Sequence, residues 1–393
     1  MGSRGHWMIV GVCALVSMLF GVGIGLAQNN QDQPEPPAIP EQVIDQKIKI
    51  DELETPPAPP QPVITHLDTP KTVKALYMSA WVASAPSLRE KIIKLADDSE
   101  INAIVIDIKD ATGRVSFMPN DQLVTDTGSP RELIKNISDF INTLHAKHIY
   151  VIGRIAVFQD PFLTKEQPDW SIKSKSTGAI WKDRKGLSFL DPTNTHVWDY
   201  TVHLAQASYD AGFDEINFDY VRFPSDGNIS DIAYPATDGT KADAMERFYA
   251  HLDTELRQKQ HIPISADLFG MTTSNTDDLG IGQVLEKALP HFDYIAPMVY
   301  PSHYPKNFNG YANPAAHPYE VIKFAMSKGV ARATAIGLTA HNFRPWIQDF
   351  NLGATYTASM VRDQIRALNE QGIDSYMVWD PANTYTEDAF LKE

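Results

Sequence analysis

The chain is almost without cysteine and has no surplus of positive charge, and each shortage closes off a class of function. Its one cysteine among 393 residues is Cys13. That residue lies in an apolar N-terminal run, so the rest of the chain carries neither a disulfide framework nor thiol chemistry. Against 49 Asp and Glu there are 34 Lys and Arg, a formal net charge of -15. No basic stripe relieves this balance, which argues against nucleic acid as a partner. Glycine turns of the GxGxxG or GxxxxGK kind are absent, which weakens a nucleotide-binding reading. The 12 histidines contain no HExxH and no tight cluster, so neither a metal nor a cofactor is expected.

Long hydrophobic runs are equally scarce, with one exception. Residues 7–27 are almost wholly apolar and follow a single positive charge, Arg4. A run of about 20 apolar residues can span a bilayer, and Gly25-Leu26-Ala27 offers small residues for signal cleavage. Residues 1–28 therefore read as a signal peptide or an uncleaved membrane anchor, with the remainder exported to an extracytoplasmic location, tethered or secreted. From 29 to 70 the chain is rich in proline and poor in aromatics, and holds eight acids against two lysines between Gln31 and Thr69. Such a segment reads as a disordered, extended spacer.

From residue 71 to 393 strand and helix patterns alternate. Strands are expected at 73–78, 103–108, 150–155, 263–267, 294–299, 333–338 and 375–379, with helical segments between them. One more lies in the stretch 214–224, where Ile216, Phe218 and Tyr220 alternate with Glu215, Asn217 and Asp219. Gly212 closes the helix before it and Pro224 ends the strand. The helices are expected at 86–96, 130–148, 195–211, 241–260, 281–289, 318–328 and 357–371. Eight such units over about 320 residues imply an α/β fold with a parallel sheet closed as a (β/α)8 TIM barrel.

In that fold chemistry collects at the C-terminal ends of the strands. There the chain offers Tyr77 and Trp81, then Asp107, Lys109 and Asp110, then Arg154. The next strands offer Asn217, Asp219, Tyr220 and Arg222, then Asp267, then Met298 and Tyr300. His341, Arg344 and Trp346 follow the seventh strand, and Trp379 and Asp380 end the eighth. Carboxylates ringed by aromatic and Arg side chains suit sugar chemistry. Cleaving a glycosidic bond needs one carboxylic acid to protonate the leaving oxygen and a second carboxylate to attack, activate water or stabilise the cation. Each residue also has a plainer reading. Asp219 with Arg222 fits a rim ion pair that holds a loop. Asp267 and Asp110 fit turn chemistry. Asp107 in a strand needs a partner such as Arg154 or Lys109. Trp379 and Tyr300 fit core aromatics.

Six segments occur in order: Tyr77-Met78-Ser79-Ala80-Trp81, Ile106-Asp107-Ile108-Lys109-Asp110, the run from Asn217 to Pro224, Ala296-Pro297-Met298-Val299-Tyr300-Pro301, the run from Arg344 to Phe350, and Val378-Trp379-Asp380. Together they resemble a bacterial family of inferred glycoside hydrolases of unknown specificity. The resemblance spans about residues 73 to 390 and implies a TIM barrel and a polysaccharide substrate. More distantly the chain is similar to chitinase-like barrels, whose fourth strand ends in DxxDxDxE. The matching positions are Asp214, Asn217, Asp219 and Val221, so the final glutamate of that pattern, its general acid, is replaced by Val221.

The leading expectation is a glycoside hydrolase acting on an envelope or extracellular polysaccharide. Asp219 serves as nucleophile or stabilising carboxylate and Asp267 as general acid/base. Arg222 keeps Asp219 charged, and Trp81, Tyr300, Trp346 and Trp379 act as sugar platforms. Tyr77, Asp107, Asp110, Arg154, Asn217, Met298 and Asp380 complete the substrate-binding set. Val221 supports a second expectation, a surface-tethered carbohydrate-binding pseudoenzyme. A third is a non-glycosidic hydrolase or lyase with a metal held by Asp107, Asp219 and Asp267.

Overall fold

The computed structural model describes residues 64–234 and 239–390. The apolar run 7–27 and most of the proline-rich stretch lie outside the described residues. Among those described, no helix is long and apolar enough to cross a membrane.

Eight parallel strands close into a barrel in chain order: β1 (Lys74–Met78), β2 (Ala103–Lys109), β3 (Tyr150–Ala156), β4 (Glu215–Asp219), β5 (Ile264–Phe269), β6 (Tyr294–Met298), β7 (Trp346–Gln348) and β8 (Tyr376–Trp379), with β8 pairing back onto β1. The principal helices outside it are α1 (Pro86–Asp98), α2 (Ile137–His145), α3 (Thr195–Asp210), α4 (Lys241–Leu252), α5 (Leu285–Ala288), α6 (Pro318–Ala335) and α7 (Ala358–Asn369).

Strands covered on both faces read as continuous apolar runs, which is why Ala103–Lys109 and Tyr150–Ala156 are buried throughout. Their alternation still sorts two cores. Ile104, Ile106, Val151, Ile155, Ile216 and Phe218 turn outward and pack under the helices. Ala75, Tyr77, Val105, Ile152, Ala296, Trp346 and Met377 fill the barrel interior.

The base of the barrel is tied by charge. Glu215 and Arg344 are both fully buried, and Arg344 Nη1 donates to the two Glu215 oxygens at 2.7 and 2.8 Å. Residues 64–70, expected as the end of a disordered spacer, lie against this face. The Leu67 N–H donates to Asp214 at 2.7 Å, and the His66 ring stacks on Tyr209 at 3.8 Å.

Two expectations are corrected. The seventh strand is not 333–338, because α6 runs through Ala335 and takes up its first residues. Thr334, Ala335 and Ile336 are exposed, which no barrel strand tolerates, and Gly337 turns the chain with φ +84°. The strand is the three-residue Trp346–Gln348, so Arg344 sits at the base of the barrel and not at its rim. The helix expected from 130 begins only at Ile137, because Pro130 bridges to Val115 and the Arg131 N–H donates to the Val115 carbonyl at 2.8 Å.

Candidate active site

Side-chain parity builds the site. Tyr77 on β1, Asp107 on β2, Arg154 on β3, Asn217 and Asp219 on β4, Asp267 on β5, Trp346 on β7 and Trp379 on β8 all face into the barrel near its C-terminal end. Asp107 pairs in register with Arg154, and Arg154 with Asn217. Phe218 pairs with Ala266, so the next residues, Asp219 and Asp267, stand abreast on strands about 4.8 Å apart.

Arg154 is the centre of this group and is 6% exposed. Its Nη1 donates to Asp107 Oδ1 at 2.6 Å and its Nη2 donates to Asp219 Oδ2. Its Nε lies 3.8 Å from Asp267 Oδ2. The other oxygen of Asp107 accepts the Tyr77 hydroxyl at 2.5 Å. The other oxygen of Asp219 accepts the N–H of Tyr220 at 2.5 Å. Tyr220 has φ +53°, a left-handed conformation rare outside glycine and common at functional sites. Asp267 is 1% exposed, and its Oδ1 takes two donors, Asn217 Nδ2 at 2.9 Å and Trp346 Nε1 at 2.7 Å.

This geometry has electrostatic consequences. Burial, and then the charge of Asp219, push the Asp267 carboxyl well above the usual carboxylate range, with Arg154, Asn217 and Trp346 opposing. Burial also raises Asp107, against the pull of Arg154 and Tyr77. Tyr77 is raised by burial and by the charge of Asp107. A carboxyl pushed toward its neutral form beside an ion-paired carboxylate is the arrangement that acid catalysis at a glycosidic bond requires.

The aromatic residues divide. Trp379 is half-buried and stacks on Tyr77 at 4.0 Å between ring centroids, with Arg154 5.2 Å from its ring. Trp81 is 58% exposed, with Arg131 5.6 Å over its face. Trp346, expected as a platform, is 1% exposed, so no sugar ring reaches its face, and its N–H holds Asp267. Tyr300 is buried, edge-on to Phe350 at 5.7 Å, and Met298 packs against the interior cluster.

The cation that meets Asp219 is Arg154, from the neighbouring strand. Arg222, expected in that role, donates through Nη1 to the Phe223 carbonyl at 3.1 Å and to Ser225 Oγ at 3.2 Å. Its guanidinium lies over the rings of Tyr220 and Phe269, 5.2 and 5.0 Å from their centres. Asp110 accepts from the N–H and hydroxyl of Thr112, and Asp380 from the N–H groups of Ala382 and Thr384. Both fasten turns just beyond their strands. Lys109 leaves the interior at a register shift in β2 and pairs with buried Asp160 at 2.7 Å.

Two residues of the site's support lay beyond any periodic signal. Tyr385 donates its hydroxyl to the Tyr77 carbonyl, and Asn383 accepts the Ser79 N–H at 2.8 Å. Both come from the irregular C-terminal loop. A metal does not fit the three interior carboxylates, because the Arg154 guanidinium stands among them. Among the described residues no group of three or more His, Cys, Asp or Glu is placed to hold one.

Comparison with known proteins agrees with the barrel. The glycoside hydrolase domain of PgaB (BpsB) from Bordetella bronchiseptica superposes with a TM-score of 0.60 at 13% identity, covering 82% of this chain and 99% of that one. An α-galactosidase from Thermus thermophilus, TtGalA, gives 0.50 at 12% identity, over 83% of this chain and 65% of that one. At such identities the likeness is one of fold. A hypothetical protein from Ruminiclostridium thermocellum is 32% identical, over 49% of this chain and 96% of that one, with a TM-score of 0.45. No curated protein matches. The family model described as "Putative glycosyl hydrolase domain" matches residues 75–385, a span holding all eight strands but for the first residue of β1, and the chain belongs to that family.

Proposed function

We propose that the chain hydrolyses glycosidic bonds in an envelope or extracellular polysaccharide, with Asp219 and Asp267 as its two carboxyl groups. The observation that carries this reading is their placement. They stand abreast on β4 and β5, served by one guanidinium, with Asp267 driven toward its neutral form by burial and by Asp219.

Asp267 gives its proton to the glycosidic oxygen as the bond from the anomeric carbon to that oxygen breaks and its electron pair passes to the oxygen. The Asp219 carboxylate attacks the anomeric carbon or stabilises the oxocarbenium charge. Water then supplies the hydroxyl to that carbon and returns a proton to Asp267, so the net change is addition of water across the bond. Tyr77 and Arg154 hold Asp107 and keep Asp219 in place. Trp379 and Trp81 offer ring faces to sugar C–H groups. Export through residues 1–28 would bring the barrel to such a substrate.

The test is hydrolysis of a panel of envelope and extracellular polysaccharides by the parent, Asp219→Asn and Asp267→Asn. Loss in both variants is expected. Full activity in both on a substrate the parent cleaves overturns the assignment. Two observations favour the second reading, a binding protein without turnover: Asp267 is only 1% exposed, and Val221 stands where chitinase-like barrels carry their acid. Glycan binding by a parent that cleaves nothing on the panel would establish it.

A further inference from the structure

Asp267 has two oxygens in unlike surroundings, and the difference locates its proton. Oδ1 accepts from Trp346 Nε1 at 2.7 Å and from Asn217 Nδ2 at 2.9 Å. An indole N–H is a donor only, so Oδ1 must offer lone pairs toward it. Asn217 also donates to Ser265 Oγ at 3.1 Å, which agrees with its nitrogen lying on that side. Among the described residues Oδ2 has no such donor within hydrogen-bonding distance. It lies 3.8 Å from Arg154 Nε, along the same guanidinium edge whose Nη2 holds Asp219 Oδ2. Among the described residues that Nε–H makes no hydrogen bond.

We infer that Trp346 and Asn217 are positioning residues that keep Oδ1 of Asp267 as the carbonyl oxygen and so place its proton on Oδ2, facing Arg154 and Asp219. The inference rests on Asp267 being the acid of the proposed reaction, and it adds the direction from which that acid delivers. With the roles of the oxygens reversed, the proton would point at two donors at 2.7 and 2.9 Å and away from the partner carboxylate, whereas on the Oδ2 side the one donor, Arg154 Nε, stands off at 3.8 Å. The platform role expected for Trp346 is thereby replaced by one that uses only its N–H. Trp346 is 1% exposed and packs against Trp379, at 5.5 Å and nearly perpendicular, so its N–H is held toward Asp267 by the packing of the core.

Infrared difference spectroscopy of the full-length chain at pH 7 tests this without a substrate. The parent should show a protonated-carboxyl stretch that disappears in Asp267→Asn. Trp346→Phe removes the N–H donor and keeps a ring in the core, and Asn217→Ala removes the second donor. In each, the band should move to higher frequency, because the carbonyl loses a hydrogen bond. The alkaline limb of the pH–rate profile should also move to higher pH, since a donor that favours the charged form has gone. A purely structural role would lower the melting temperature and leave the band in place.

An unmoved band in whichever of these variants folds overturns the inference. So does a parent in which Asp267→Asn removes no band. Should Asp267→Asn instead retain full hydrolysis, the catalytic reading falls while the infrared result still decides where the proton lies.

Discussion

Arg154 joins Asp107 to Asp219 across the barrel interior, donating to the first at 2.6 Å through Nη1 and to the second through Nη2. One buried cation thus sets the positions of two acids from two other strands. Removing it should leave both carboxylates without their counter-charge. Arg154→Met is expected to cost about 3–5 kcal/mol, the usual penalty for breaking a buried pair from one side, and to abolish hydrolysis. Arg154→Lys keeps the charge and loses the fork. It should recover part of the stability and little of the rate. Urea unfolding of both variants checks this, and parent-like stability in Arg154→Met would refute it.

Hydrolysis should fail as the pH rises through the pKa of Asp267. Burial and Asp219 raise that carboxyl well above the ordinary range, and only its protonated form can act as the acid. The alkaline limb of kcat/KM should therefore lie well above pH 4 and be absent from the residual rate of Asp267→Asn. That rate should be down by roughly 10²–10⁴. A parent whose rate falls already near pH 4 would exclude Asp267 as the acid.

Asp349 predicts a slope in stability. Burial raises it from 3.8 to about 6, against the hydrogen bonds from Thr386 and with a contribution from Asp380. The folded state then holds a proton that the unfolded chain releases, so stability falls with rising pH across this window. The effect is complete below pH ~4, where both states are protonated. It is lost progressively toward about 6 and is level above that. Thermal midpoints at pH 4, 5 and 6 should show this fall in the parent and a flatter course in Asp349→Asn.

Trp81 and Trp379 should separate binding from folding. Trp81 is 58% exposed on the rim, so Trp81→Ala should change stability by less than about 0.5 kcal/mol. Its expected effect is on KM for long oligosaccharides, with kcat little altered. Trp379→Ala removes the partner of Tyr77 and should lower both stability and kcat. Equal KM for parent and Trp81→Ala on every chain length would exclude a platform at the rim.

At the opposite end of the barrel, Glu215→Gln leaves the Arg344 charge buried and half-paired. A loss of about 3–5 kcal/mol is expected, with kcat/KM of the folded fraction unchanged, because this pair lies at the base of the barrel. The double change Glu215→Met with Arg344→Leu should be less destabilising than the single one. Measuring stability and rate on the same samples keeps the two effects apart.

The parts of this fold visible in the sequence are those where one period repeats. Strands β2 to β5 announce themselves by apolar runs, and parity alone puts Asp107, Arg154, Asn217, Asp219 and Asp267 on one side. Strand β7 escaped because three residues carry no period, while the Ala-rich end of α6 imitates a buried strand. Asp110 and Asp380 looked like rim acids because each follows a strand, but the chain turns there and uses them to fasten the turn. Arg222 seemed the natural partner of Asp219 because it is three residues away. The partner is Arg154, on the neighbouring strand.

The alternation of strands and helices, and the interior side on which Asp107, Arg154, Asn217, Asp219 and Asp267 fall, were determined by the sequence itself, because the period of a strand is a local property of the chain. Which carboxyl is pushed toward its neutral form was decided only by the tertiary structure. Asp219 and Asp267 are the same residue type at equivalent strand positions. They differ because barrel closure gives Asp219 the Nη2 of Arg154 and leaves Asp267 1% exposed between Asn217 and Trp346. Desolvation and the field of a neighbouring charge depend on distances between residues far apart in the chain, and these exist only once the barrel has closed.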